Sequence, residues 1–206
     1  TNRIARFNLD GSLDNTFQSG IGANNIIRSV VVLPDDKILI GGDFTNYNGT
    51  PINRIARLNA NGTLDNTFTV GTGASASVYN ITVTATGKIL ITGSFVTYNG
   101  DSVNRLTRLN SNGVRDNTFS SGTGLNNIGR DIAIQNDGKI IVVGLFTAYQ
   151  GTSRNRIIRI DTTGAYDNTF SIGTACNNAL YAVTLQQNGK IIIGGNFTNY
   201  NGTLKT

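Results

Sequence analysis

The chain has 206 residues, 38% apolar and only 14% charged, which is enough for one domain with a sizeable core. It contains no His, no Met, no Trp and one Cys, and all twelve of its acids are Asp. That composition excludes nucleophilic catalysis by a Ser–His or Cys–His pair, an internal disulfide framework and a cysteine metal cluster. The net charge of +5 comes from Lys and Arg scattered without runs, so no nucleic-acid partner is expected. No apolar stretch approaches the roughly 18–20 residues of a helical span, and no membrane insertion is expected. The chain starts at Thr1 with no methionine, and is expected to be a processed form or a portion of something larger.

In chain order, the first readable element is "NRIARFN", a short strand, followed by a turn and the short outer strand "SLDNTF". A Gly-rich loop, "QSGIGANN", leads to "SVVVL", rich in β-branched residues and closed by the turn "PDD". "KILIGG" pairs back as a second strand, and a loop carrying Tyr-Asn-Gly follows. Then the opening phrase returns as "NRIARLNANGTLDNTF", with an Asn-Gly turn between its two strands.

The return has a period of 51 residues without slippage. Arg6, Arg57, Arg108 and Arg159 keep step, as do Asp14, Asp65, Asp116 and Asp167, and Phe17, Phe68, Phe119 and Phe170. The units run about 2–52, 53–103, 104–154 and 155–206, so that residues 1–206 make a single repeat domain. Nothing in the chain has a helical apolar period, and an all-β protein is expected. Ile38 and Ile40 point one way and Leu39 the other, so a unit's sheet must sit between two neighbours like itself. Four-stranded units stacked this way make a β-propeller of four blades; a β-solenoid, with shorter rungs, is the competing arrangement. The chain opens on the third and fourth strands of a unit and ends on the first two. If the ring closes, the terminal pieces form one composite blade, with its seam at Lys205, Thr206 and Thr1. The other possibilities are a ring shared with a second copy and a longer array.

The residues "NRIARLNANGTLDNTF", the "GTGA" after them, "GKILITGSF" and the following "YNG" resemble the delta-60 repeat family, and do so over the whole chain. That resemblance implies tandem bacterial repeats of propeller type in large secreted or surface proteins, and no established catalytic activity. The Gly41-Gly42 and Gly194-Gly195 pairs resemble kelch blades more weakly.

Candidate chemistry is sparse. Cys176 falls in the slot of Ala23, Ala74 and Leu125 and reads as an apolar filler rather than a nucleophile. An Asp present in every unit serves the fold by capping a turn or pairing with a repeated Arg. Asp131 stands apart, in an inner strand, as a lone carboxylate suited to ligand contact. "NLDGSLD" has oxygen ligands at alternating positions, but no Glu exists to close a calcium loop and the other copies lose the acids. No catalytic residue, metal or cofactor is therefore expected. Two readings stand for Tyr47, Tyr98, Tyr149 and Tyr200: wedges between blades, or aromatic platforms for sugars on the loop face. Arg28, Tyr79, Arg130 and Tyr181 share one slot at the start of the inner strand and converge near the channel mouth if the ring closes. They read as drift, as a channel plug or as a ligand site.

The expected function is a non-enzymatic binding or adhesion module, outside a bacterial cell or on its surface, with a glycan or surface polymer as partner. The alternative is a structural spacer in a large surface protein or phage virion, with self-association or flanking parts of a larger protein as partners.

Overall fold

The structure, a computed structural model, describes residues 3–204; the proposed seam at Lys205, Thr206 and Thr1, and Asn2, lie outside the described residues. Among the described residues there are strands and turns and no helix. Each of the first three units contributes an inner strand, Ile27–Val32, Val78–Val83 or Gly129–Ile134. Its second strand is Ile38–Gly42, Ile89–Gly93 or Ile140–Gly144, and its third is Ile55–Leu58, Leu106–Leu109 or Ile157–Ile160. The three pair antiparallel with the second strand in the middle. The last unit has an inner strand, Leu180–Leu185, paired only with Ile191–Gly195.

Turn chemistry sets these registers. Asp36 takes a φ of 62° between the first two strands, and Gly87, Gly138 and Gly189 take 76–83° at the corresponding turn of the later units. Tyr-Asn-Gly is more than a loop: Asn48 and Gly49, at φ 47° and 82°, form a two-residue turn that pairs Tyr47 with Thr50. The same small hairpin recurs in all four units.

The expected four-stranded blade is corrected to three strands. The outer "LDNTF" segment makes a single bridge, Leu58 to Leu64, and then leaves the sheet. It leaves because Asp65 turns the chain: its carboxylate accepts from the backbone N–H and hydroxyl of Thr67, and Phe68 N–H donates to its carbonyl.

The second strands are buried at every position in the first three units, as their two-sided apolar pattern requires. Leu39 and Ile55 pack with Ile81 and Val78 of the next unit, and Leu90 and Leu106 with Ile132 of the one after. Sheets thus stack side by side through their inner strands. At the two ends of the stack apolar side chains face outward: Val30 is 54% exposed on the first sheet and Ile192 49% on the last.

Candidate functional site: an arginine–tyrosine row on the inner strands

In every unit the inner strand carries a β-bulge at one position. The register skips between Ile27 and Ser29, Val78 and Asn80, Gly129 and Asp131, and Leu180 and Ala182. The unpaired residues are Arg28, Tyr79, Arg130 and Tyr181, and a bulge re-aims its side chain out of the alternating pattern. The four side chains stack on one another across four sheets. Arg28 lies 4.8 Å from the Tyr79 ring centre, Arg130 4.2 Å from the same ring on its way to Tyr181, 5.6 Å away.

The charges in this row are unequal. Arg28 makes a two-bonded pair with Asp43 at 2.5 and 2.7 Å. The hydrogen bond from Arg28 holds the Asp43 carboxyl below the usual carboxylate range. The slot of Asp43 is filled in the next units by Ser94, Leu145 and Asn196. Arg130 therefore has Leu145 in the slot where Arg28 has a carboxylate, and its Nε is buried without a hydrogen-bond partner. Asn196 donates to the Tyr181 hydroxyl at 3.1 Å, and Tyr181 remains 43% exposed.

The structure separates the other candidates from this row. Tyr47, Tyr98 and Tyr149 are wedged in the core, and each hydroxyl donates to a turn carbonyl, of Gly62, Gly113 and Gly164. Burial pushes the Tyr47 hydroxyl up to about 12, and those of Tyr98 and Tyr149 higher. Their reading as sugar platforms is corrected: no ring face reaches solvent. Tyr200 is half-buried, beside an open apolar groove.

Asp131 is corrected from ligand contact to strand clip. One oxygen accepts from Asn80 Nδ2 and the Ile132 N–H, at 2.8 and 2.9 Å, and the other from the Val183 N–H at 2.8 Å. It ties the inner strands of three consecutive units, as Ser29 does more simply by accepting from the Ile81 N–H. Burial raises its carboxyl, against the pull of the two backbone donors.

The repeated Asp residues cap a turn and pair with Arg at once. Asp65 receives Arg57 at 2.7 Å and Lys37 at 2.9 Å, and Asp116 receives Arg108 at 2.9 Å and Lys88 at 3.0 Å. The Arg carries a second contact into the next unit, from Arg57 Nη1 to the Ser111 carbonyl. The loop asparagines are also spent internally: Asn24 and Asn126 each accept two backbone N–H groups of the neighbouring hairpin. Among the described residues no cluster of three or more His, Cys or Asp could hold a metal ion.

The bulge was not legible in the sequence, although the alternation of Arg and Tyr at one repeat slot marked the place.

No curated protein matches the chain. Among solved structures it is similar to the extracellular domain of a putative hybrid two-component system from B. thetaiotaomicron, with 17% identity and a TM-score of 0.50. That match covers 86% of this chain and 21% of the other, so the chain spans about a fifth of that relative's length. It is also similar, at 16% identity and a TM-score of 0.32, to a protein of unknown function from Bacteroides caccae, covering 79% of this chain and 72% of that one. The family model described as "Domain of unknown function (DUF5122) beta-propeller" matches residues 1–17, 33–68, 84–119, 135–170 and 186–205, each stretch beginning or ending with a turn of the 51-residue repeat. With the greater part of its length matched in five stretches, this all-β chain belongs to the DUF5122 β-propeller family.

Proposed function

We propose that the chain, a repeat array of delta-60 type, is a non-enzymatic binding module displayed outside a bacterial cell, and that it takes a glycan or other surface polymer along the Arg–Tyr row. One observation carries the reading: a bulge in each of four sheets re-aims one side chain into a common row, and the four are alternately guanidinium and phenol. Tyr rings offer a flat apolar face to a sugar ring, and guanidinium groups donate to hydroxyl or carboxylate oxygens in a fixed fork. A row spaced by stacked sheets suits an extended polymer better than a small compact ligand. Placement outside the cell draws support from the Asn-, Thr- and Gly-rich surface and from the extracellular domain that shares the fold.

The test is binding of the double variant Tyr79→Ala, Tyr181→Ala to a panel of bacterial and host polysaccharides, with the melting curve as a check of the fold. Wild-type binding lost in the variant, with melting retained, supports the reading. Binding that survives unchanged sinks it. The spacer reading draws on the Arg–Asp–Lys clamps that fasten each unit to the next, and loss of assembly with binding unaltered would favour it.

A further inference from the structure

Arg28 and Arg130 occupy one slot of the repeat, and the backbone beside them is the same. The Asp43 N–H donates to the Ile26 carbonyl at 2.8 Å, and two units on the Leu145 N–H donates to the Ile128 carbonyl at 2.8 Å. The Asp43 carbonyl accepts from Arg54 Nη1, and the Leu145 carbonyl from Arg156 Nη1. Both bulges close in the same register, with Ser29 opposite Gly41 and Asp131 opposite Val143. The side chains of Asp43 and Leu145 therefore leave the backbone at matching points, one a carboxylate and the other a hydrocarbon.

Where the carboxylate is present it takes the edge of the guanidinium: Arg28 Nε and Nη2 donate to its two oxygens at 2.7 and 2.5 Å. In the third unit that edge meets no acceptor. Arg130 Nε is buried without a partner, and the terminal nitrogens, which are not sealed from solvent, bond none of the described residues. Its close aromatic neighbours meet only its faces, with the Tyr79 ring centre at 4.2 Å and that of Tyr181 at 5.6 Å. Stacking engages the flat face of a guanidinium and leaves its donors, which lie in the plane, pointing past the rings. The acid next to it in sequence, Asp131, already holds Asn80 and the Ile132 and Val183 N–H groups. A half-buried cation with unmet donors is unfavourable until an acceptor arrives.

We propose that Arg130 is the anion-reading point of the row, and that its terminal nitrogens pair with a carboxylate of the ligand as Arg28 pairs with Asp43 inside the chain. The proposal rests on the reading of the row as a glycan site, and narrows the ligand to polymers of uronic or other carboxylated sugars. The group is a carboxylate because the same backbone, two units earlier, already seats one flat against the same guanidinium edge. Leu145, half-buried beside it, gives the sugar ring that carries the carboxylate an apolar contact. Arg28, neutralised by Asp43, does not compete for the ligand.

The test measures binding of polygalacturonate and of its carboxyl-reduced form, the same chain with each carboxyl turned into an alcohol, by calorimetry at physiological salt. The wild type should bind polygalacturonate and hold the reduced polymer about tenfold more weakly, the loss of a hydrogen-bonded charge pair. Leu145→Asp should rebuild the Arg28–Asp43 pair on Arg130 and weaken polygalacturonate binding about tenfold with melting no lower, and Arg130→Gln should weaken it as much without any such pair. Ala85→Asp makes the same change of charge in an exposed turn and should leave binding as it was, which separates pairing at Arg130 from general attraction of a polyanion to a basic chain. Binding that survives both Leu145→Asp and Arg130→Gln overturns the proposal, as does equal loss in Ala85→Asp or a wild type that does not bind polygalacturonate. Equal binding of the reduced polymer, still lost in Tyr79→Ala, Tyr181→Ala, overturns the carboxylate reading alone and leaves the row a glycan site. Absence of binding to either polymer and to the wider polysaccharide panel overturns both readings.

Discussion

Removing one hydroxyl from the core tests whether the repeated tyrosines are wedges. Tyr98 is 1% exposed and its hydroxyl donates to the Gly113 carbonyl at 2.6 Å. Tyr98→Phe keeps the ring and its packing, and leaves a buried acceptor without its donor. A neutral hydrogen bond of this kind contributes about 1 kcal/mol net, and an orphaned buried partner raises the loss, so the cost should be about 1–2 kcal/mol. Tyr47→Phe should cost the same, since the Gly62 carbonyl is in the same position. Tyr149→Phe should cost less, because Gln150 also donates to the Gly164 carbonyl, at 3.4 Å. The three sites lie in separate units, 51 residues apart, and effects at distant sites without shared partners add. The triple variant should therefore lose about 2–5 kcal/mol, a large share of an ordinary domain's stability. Urea unfolding followed by circular dichroism measures each step, with the slope unchanged if only stability has moved. Three variants as stable as the parent would refute the reasoning, and would leave the hydroxyls free for another role.

Acid is expected to loosen the array from a defined point. Burial acts to raise Asp65 and Asp116, but hydrogen bonds from Thr, Lys and Arg outweigh it and hold both carboxyls far below the ordinary value of 3.8. Asp167 is held down chiefly by Thr169. A carboxyl whose folded value is depressed contributes fully above its unfolded value and loses that contribution as pH falls toward the folded one. Thermal melting should thus be flat above about pH 5 and fall steadily below about pH 4, with a shallower fall in Asp65→Asn. At Gly41, Ala would bring its Cβ within 2.9 Å of Val78 and Ile81, and overpacking of this kind costs about 1–3 kcal/mol. In a Val78→Gly background, itself destabilised by the loss of a buried side chain, the Gly41→Ala change should cost much less, since the same contact one unit later is made by Thr92 against Gly129; calorimetric melting of the single and double variants checks this coupling. Cys176 is 2% exposed and burial pushes its thiol up to about 11. It should resist a thiol reagent in the folded chain and react at once in denaturant.

The sequence by itself determined the repeat, its 51-residue period, the all-β class and the stacking of units. Each follows from a local signal: β-branched runs, Asn-Gly and Asp-rich turns, and second strands such as "KILIGG" that are apolar on both faces and so need a neighbour on each side. It also marked Arg28, Tyr79, Arg130 and Tyr181, because a repeat that holds its framework fixed makes a varying slot visible. Only the tertiary structure decided what those residues do. A bulge is a mismatch of register between two strands, and neither strand shows it alone; it re-aims these side chains and lets them stack across sheets. Asp131 looked free in the sequence because its donors come from strands about 50 residues away on either side. The outer segment read as a strand from its residue types, but pairing needs backbone partners over several residues, and Asp65 and Thr67 divert the chain after one bridge. Residue types set which faces must be buried; the folded arrangement sets which donors and acceptors are satisfied and by what, as the Asp131 carboxylate shows.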